Sequence, residues 1–410
     1  TAFQLLSSAG DKASPAIPTA FFCLIAVMWG YFLAMRSIRR VGFEMESIAF
    51  FLSTLSLAVT ASSAPGSLFK QLAALLLGLV LFVVLGVFLR DLDRVKRIRW
   101  LMAGGAILLL GATLVLGQAK FGAVNWITFG GFSLQPSELA KICYIFAGAA
   151  TLDRLFRKRN LGLFMALTAA CLGCLALMSD FGTAAIFFVT FLVIAYLRSG
   201  DWATLTLISG GAVFAVAILL TFKPYILKRF ATWGHAWEYA SSGGYQQTRT
   251  MSAAASGGLV GVGAGEGWLH RVAAADTDLV FGMLCEEWGL IIGVLSVLCI
   301  VTLAVFAVRA CRAGRSSFYT IAACAATSLL VFQTCLNVFG AVDLLPLPGV
   351  TFPFVSNGGS SMVASWGLLA FLKATDTWQN ASFAIRLPSW KEEHSVLLNR
   401  PIQEEVDEDA

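Results

Sequence analysis

Long apolar runs that carry almost no charge alternate along this 410-residue chain with short connectors, and every second connector is rich in Lys and Arg. A run of about 20 such residues crosses a hydrocarbon core of roughly 30 Å as a helix, because in lipid the backbone must satisfy its own hydrogen bonds. Runs of this kind fall at 16–35, 46–62, 68–89, 100–118, 136–152, 161–178, 181–198, 203–222, 279–309, 317–341 and 355–374. With 58% hydrophobic and 13% charged residues, and a mean hydropathy of +0.78, a soluble globular domain is excluded. The chain reads as an all-α polytopic membrane protein of about eleven helices. The first run lacks a basic n-region and an A-x-A site, so it is a span rather than a signal peptide. The chain does not open on Met, and an N-terminal piece is expected to precede it.

Lys and Arg favour cytoplasmic connectors. The segments RSIRR (36–40), RDLDRVKRIR (90–99), DRLFRKR (153–159), LRSGD (197–201) and RACRAGR (309–315) therefore belong together inside. The alternate connectors, including 119–135, 223–278 and 342–354, then lie outside, and the acidic tail after 375 is cytoplasmic. The exterior segment 223–278 is too long for a plain hairpin and rich in Gly, Ala and Ser. Its Tyr225, Phe230, Trp233, Trp237, Tyr239, Tyr245 and Trp268 suit a membrane interface, so short interfacial helices and turns are expected there. In 343–361, DLLPLPGVTFPFVSNGGSS, the prolines exclude a regular helix.

Most of the nine cysteines fall in apolar runs, which disfavours disulfides. Cys171 and Cys174 have redox or zinc spacing but read as packing residues inside a span. His235, His270 and His394 are scattered, and no dedicated metal motif is present. The glycines of GGLVGVGAG (257–265) follow no strand, so a dinucleotide site is excluded; Gly257, Gly258, Gly261, Gly263 and Gly265 are expected to let the loop turn and approach a substrate.

Five stretches, in order, resemble one family: GAVNWITFGGFSLQPSELAK (122–141), SDFGTAAIFF (179–188), GGYQQTRTMSAAASGGLVGVGAG (243–265), TDLVFGMLCEEWGLIIG (277–293) and LPLPGVTFPFVSNGGSSM (345–362). Together they are similar to the SEDS family of shape, elongation, division and sporulation proteins. The resemblance implies a ten-helix core over 45–375, with 223–278 as a large extracellular loop before the eighth core helix. Residues 1–44 then form an N-terminal extension with one extra transmembrane helix, and 376–410 an acidic cytoplasmic tail. It implies a peptidoglycan glycosyltransferase that polymerises lipid II at the outer face of the bacterial plasma membrane, working beside a class B penicillin-binding protein. Asp278 matches the family's catalytic aspartate, whereas Asp276 does not. This chain departs from the family in carrying Met178-Ser179-Asp180 for QPD, Ala273 for a proline, and Ser356-Asn357-Gly358-Gly359 in the last loop.

Joining sugars by displacing a lipid pyrophosphate needs a base for the acceptor hydroxyl and positive charge for the leaving group. A carboxylate at a helix mouth can be the base, and Asp278 is placed for it; the plainer reading is an acid stabilising a helix dipole. Lys120, Lys223, Lys228, Arg229, Arg249 and Arg271 are candidates to hold pyrophosphate. Tyr245, Gln246, Ser356, Gly358, Gly359 and Ser360 are further substrate-binding candidates. On an ideal helix Glu286 lies about 80° round from Asp278 and roughly 12 Å deeper, so it is expected to face the same cavity, while Glu287 points away. Glu138, Lys141, Asp180 and Glu286 are expected in structural or supporting roles, with Lys141 paired to Asp180 or Glu138. No cofactor is required, though a divalent cation, Mg or Mn, stays open, and no nucleic-acid partner is expected. The rival reading is a transporter that moves lipid II or another polyprenyl lipid across the bilayer.

Overall fold

The computed structural model describes residues 15–120, 123–129, 132–152, 158–200, 202–203, 206–211, 230–312, 316–377 and 381–385. Four helices open the chain: α1 (Ala16–Ser37), α2 (Glu44–Ser63), α3 (Leu68–Phe88) and α4 (Leu92–Leu116). A small sheet follows, then α5 (Pro136–Leu152), α6 (Lys158–Leu177) and α7 (Phe181–Ser199). The rest is α8 (Tyr245–Gly257), α9 (Val280–Arg312), α10 (Ser317–Ala341) and α11 (Gly359–Thr375). Among the described residues eight helices are long and apolar enough to cross a membrane; α5 and α11, at 17 residues each, are shorter. The expected span 203–222 lies largely outside the described residues.

Two regions differ most from the sequence reading. Helix α4 starts eight residues before the expected position 100, because Asp91 caps it, accepting from the Asp93 amide at 3.0 Å, and the Arg-rich stretch becomes its first turns. The connector 119–135 is not plain loop. It holds an antiparallel sheet of β1 (Gln118–Lys120), β2 (Ala123–Phe129) and β3 (Phe132–Leu134), ordered β1-β2-β3, with Gln118 opposite Trp126 and Ile127 opposite Leu134. β-Branched and aromatic residues in VNWITF favour the strand, and Val124 ties it to the end of α6 by donating to the Met178 carbonyl at 2.9 Å.

Helix α11 is the axis of the bundle, buried from Ser360 to Thr375. Its Trp366 ring packs on Phe50, Phe82 and Phe354 at centroid distances of 5.0, 5.6 and 5.9 Å. Outer faces of α3, α4 and α9 expose Val80, Leu108 and Ile291, as lipid-facing surfaces must.

Helix α9 is interrupted. Gly289 has φ 85° and ψ 165°, and a side chain there would strike the Leu259 carbonyl. In an unbroken helix the Leu290 and Ile291 amides would donate to the Glu286 and Glu287 carbonyls. Instead they donate to Gly258 and Leu259, at 2.9 and 3.3 Å. The vacated Glu286 and Glu287 carbonyls accept from Val262 and Gly263, at 2.9 and 3.1 Å. The segment after α8 is thus spliced into the hydrogen-bond ladder of a spanning helix. Its glycines bring backbone against α9, not against the groove described next.

Candidate active site

Asp278 stands two residues before α9, in a turn where its amide donates to the Ala274 carbonyl at 2.9 Å and Ala274 has φ 59°. The turn is held from two other elements. Asn337 of α10 donates through Nδ2 to the carbonyls of Asp278 (2.9 Å) and Val350 (2.7 Å). Ser356 Oγ donates to the Thr277 carbonyl at 2.6 Å. Asn357 donates through its amide to the Asp276 carbonyl (2.8 Å) and through Nδ2 to the Asp276 carboxylate (2.7 Å). Gly349 leaves room for the neighbouring acid, since an added Cβ would lie 3.3 Å from Asp278 Oδ2.

A groove of about 470 Å³ opens beside this turn. Its polar lining includes Asn125, Gln135, Glu138, Asp180, Asp276 and Asp278; Trp126 and the loop 345–351 supply other walls. Asp180 caps α7, accepting from the Thr183 amide at 3.1 Å and from Asn125 Nδ2 at 3.3 Å. Glu138 pairs with Lys141 at 2.7 Å, as one of the two expected pairings had it. Lys141 also donates to Gln333 Oε1 at 3.0 Å; Gln333 in turn donates to the Thr351 carbonyl and hydroxyl, at 2.8 and 2.9 Å. The buried pair is therefore wired to the loop that walls the groove.

Asp278, Asp180 and Glu138 come together, with Lys141 behind them. The other described candidates do not line this groove. Tyr245 and Arg249 are exposed on α8, the guanidinium 5.3 Å from the ring centroid. Gln246 donates to the Ala273 carbonyl at 2.9 Å, and Arg271 is exposed on a single 3-10 turn, Leu269–Arg271. Ser356 holds the turn as described, Gly358 and Gly359 form the start of α11, and Ser360 Oγ accepts from the Gln135 amide at 3.2 Å. Lys120 ends β1, described by its backbone alone; Lys223, Lys228 and Arg229 lie outside the described residues.

The helical-wheel expectation for the glutamate pair fails. Glu286 does not line the groove. Its carboxylate accepts from the Trp268 and Leu269 amides at 2.8 and 3.0 Å, while Glu287 accepts from the Gly265 amide at 2.9 Å and from Ser62 Oγ. Both acids grip the segment between α8 and α9, which the wheel of a single helix leaves out. Sequence reasoning also missed Asn337 and Gln333. These amides sit four apart inside an apolar run, on one helical face, and that spacing was a readable signal.

Among the described residues no three His, Cys, Asp or Glu side chains converge to hold a metal ion.

A many-helix membrane protein with an acid-lined groove where loops from several helices meet is the class that this geometry defines. The chain belongs to the FtsW/RodA/SpoVE family, described as cell cycle protein, whose model matches residues 35–380 and leaves almost all of α1 ahead of the match. A peptidoglycan glycosyltransferase RodA of Mycobacterium tuberculosis is 30% identical over 326 residues, covering 74% of this chain and 69% of the relative. A probable peptidoglycan glycosyltransferase FtsW of Tolumonas auensis is 31% identical over 310 residues, covering 72% and 81%. Among solved structures, one reported for the coordination of polymerization and crosslinking by a peptidoglycan synthase complex matches with a TM-score of 0.65 and 26% identity, covering 80% of this chain and 95% of that one. The rod shape determining protein RodA of Thermus thermophilus matches with a TM-score of 0.59 and 25% identity, covering 82% and 97%.

Proposed function

We propose that this chain is a peptidoglycan glycosyltransferase that polymerises lipid II at the outer face of the plasma membrane, with Asp278 as general base. The observation that carries the chemistry is the placing of Asp278: its backbone is pinned from α10 and from the last exterior loop while its side chain lines the groove. Such a base is positioned before substrate arrives. Asp278 takes the proton of the acceptor sugar's 4-hydroxyl as that oxygen bonds to the donor's anomeric carbon. The bond from that carbon to the lipid pyrophosphate breaks, the electron pair leaves with the phosphate, and the configuration inverts.

The described groove lining holds carboxylates, amides and hydroxyls but no Lys or Arg, so it suits hydroxyl-rich sugar rather than bare pyrophosphate. Pyrophosphate is left to the cationic candidates of the sequence, Lys120, Lys223, Lys228 and Arg229 foremost. A divalent cation, if used, would take most of its ligands from phosphate oxygens and water, the usual habit of Mg. The alternation of Arg-rich connectors supports the orientation, with 223–278 outside and the tail in the cytoplasm. A class B penicillin-binding protein is the partner proposed, in line with the synthase complex among the structural matches.

Purified Asp278→Asn given labelled lipid II in detergent should lose glycan formation by about 10²–10⁴-fold while lipid II binding stays near wild type. Detergent solution removes the bilayer, so product there belongs to a polymerase and not a transporter. Intact polymerisation by this variant sinks the base assignment, and loss of binding would instead make Asp278 a substrate-organising residue.

A further inference from the structure

Among nine cysteines the spacing Cys171-Leu-Gly-Cys174 draws the eye, yet it is a different pair whose sulfurs meet across two helices. Cys311 in the last turn of α9 and Cys324 in the second turn of α10 have their Sγ atoms 3.6 Å apart. Both are free thiols, half-buried rather than sealed in the core. Cys311 Sγ also lies 3.8 Å from the Thr320 carbonyl, which aims it along the α10 face that carries Cys324. Closing to the disulfide length of about 2.05 Å brings the two sulfurs about 1.5 Å nearer than they stand.

We infer that Cys311 and Cys324 form a site of reversible oxidation, closing a disulfide that staples the end of α9 to the start of α10. Hydrogen peroxide is the class of oxidant required. One thiolate attacks peroxide to give a sulfenic acid and one water; the second thiol attacks that sulfur, the Sγ–Sγ bond forms, and a second water leaves. Two thiols thus lose two electrons and two protons, and one peroxide is reduced to two waters. A small-molecule dithiol reverses it by exchange. The neighbouring connector carries Arg309, Arg312 and Arg315, which the proposed orientation places in the cytoplasm, a compartment that keeps thiols reduced. The reduced pair is then the resting state and the disulfide a response to oxidant.

The site stands apart from the groove. Asp278 lies before the other end of α9, roughly 45 Å of helix away. The two helices nevertheless share a task there, since Asn337 of α10 holds the Asp278 carbonyl.

The full-length protein in detergent, reduced and then exposed to dilute hydrogen peroxide, should yield a peptide pair joining Cys311 to Cys324, lighter by two hydrogens. Dithiothreitol should abolish it, and it should be absent from both Cys311→Ser and Cys324→Ser. Oxidised wild type should also melt higher than reduced wild type, with no such difference in either variant. Alkylation of both thiols after a treatment that oxidises the exposed Cys23 overturns the inference, as does further oxidation of either sulfur without a bond between them. A bond that forms but lowers the melting temperature overturns the claim that the fold already accommodates it.

Discussion

Two lysines, each 1% exposed, sit in ion pairs at different depths of the same bundle, and their surroundings differ. Lys141 pairs with Glu138 just beneath the groove, and Glu138 also lines the open space. Lys373, in the last turn of α11, pairs with Glu46 of α2 at 3.1 Å and donates to the Gly42 carbonyl at 2.8 Å. There Glu46 is closed off, its other oxygen accepting from Tyr31 of α1 at 3.0 Å. The attraction within each pair is alike. What differs is the fate of the acid if its lysine is removed: water in the groove can reach Glu138, whereas Glu46 is walled in by α1, α2 and α11. The same pairing therefore borders the candidate groove in one place and locks the scaffold in the other.

The comparison breaks most visibly at Lys373. Lys373→Met strands a buried carboxylate and should destabilise the protein by about 3–5 kcal/mol, seen as lost folded yield and a lower melting temperature. Lys141→Met should destabilise less, about 1–2 kcal/mol, since Glu138 can rehydrate. Its polymerisation should fall at least tenfold in the protein that folds, because the chain from Lys141 through Gln333 to Thr351 loses its anchor. Equal stability losses for the two variants would erase the distinction. Tyr31→Phe is the finest probe: losing one hydrogen bond to Glu46 should cost about 1 kcal/mol in melting experiments, with activity per folded molecule unchanged. Activity that drops with it would mean the scaffold end is coupled to the groove.

The lysine pair near the groove was legible in the sequence because Glu138 and Lys141 are one turn apart, a local relation that spacing reports. The pair of Glu46 and Lys373 was not, since 327 positions separate them and each looks like an ordinary helix-end charge. Asp278 and Asp180 stood out because each is an acid where an apolar run begins, and for Asp278 the family resemblance of its stretch supplied the role. The described spans followed from hydropathy, but the sheet at 118–134 hid in a connector whose pairing depends on which strands meet. The cationic candidates Arg249 and Arg271 show the limit most plainly. Charge and loop membership made them substrate candidates, and the path of the segment between α8 and α9 leaves them exposed, off the groove lining.

That path has a consequence for how the protein is made. Residues 258–263 supply the partners that the interrupted stretch of α9 lacks, so the helix cannot complete its own ladder. Unsatisfied backbone groups in hydrocarbon cost several kcal/mol each. The segment that supplies them is synthesised earlier and, on the proposed orientation, must already be across the bilayer when α9 enters it. Insertion of this helix and maturation of that segment are then one event during biogenesis, and a segment that misfolds leaves an unsatisfied gap in a spanning helix.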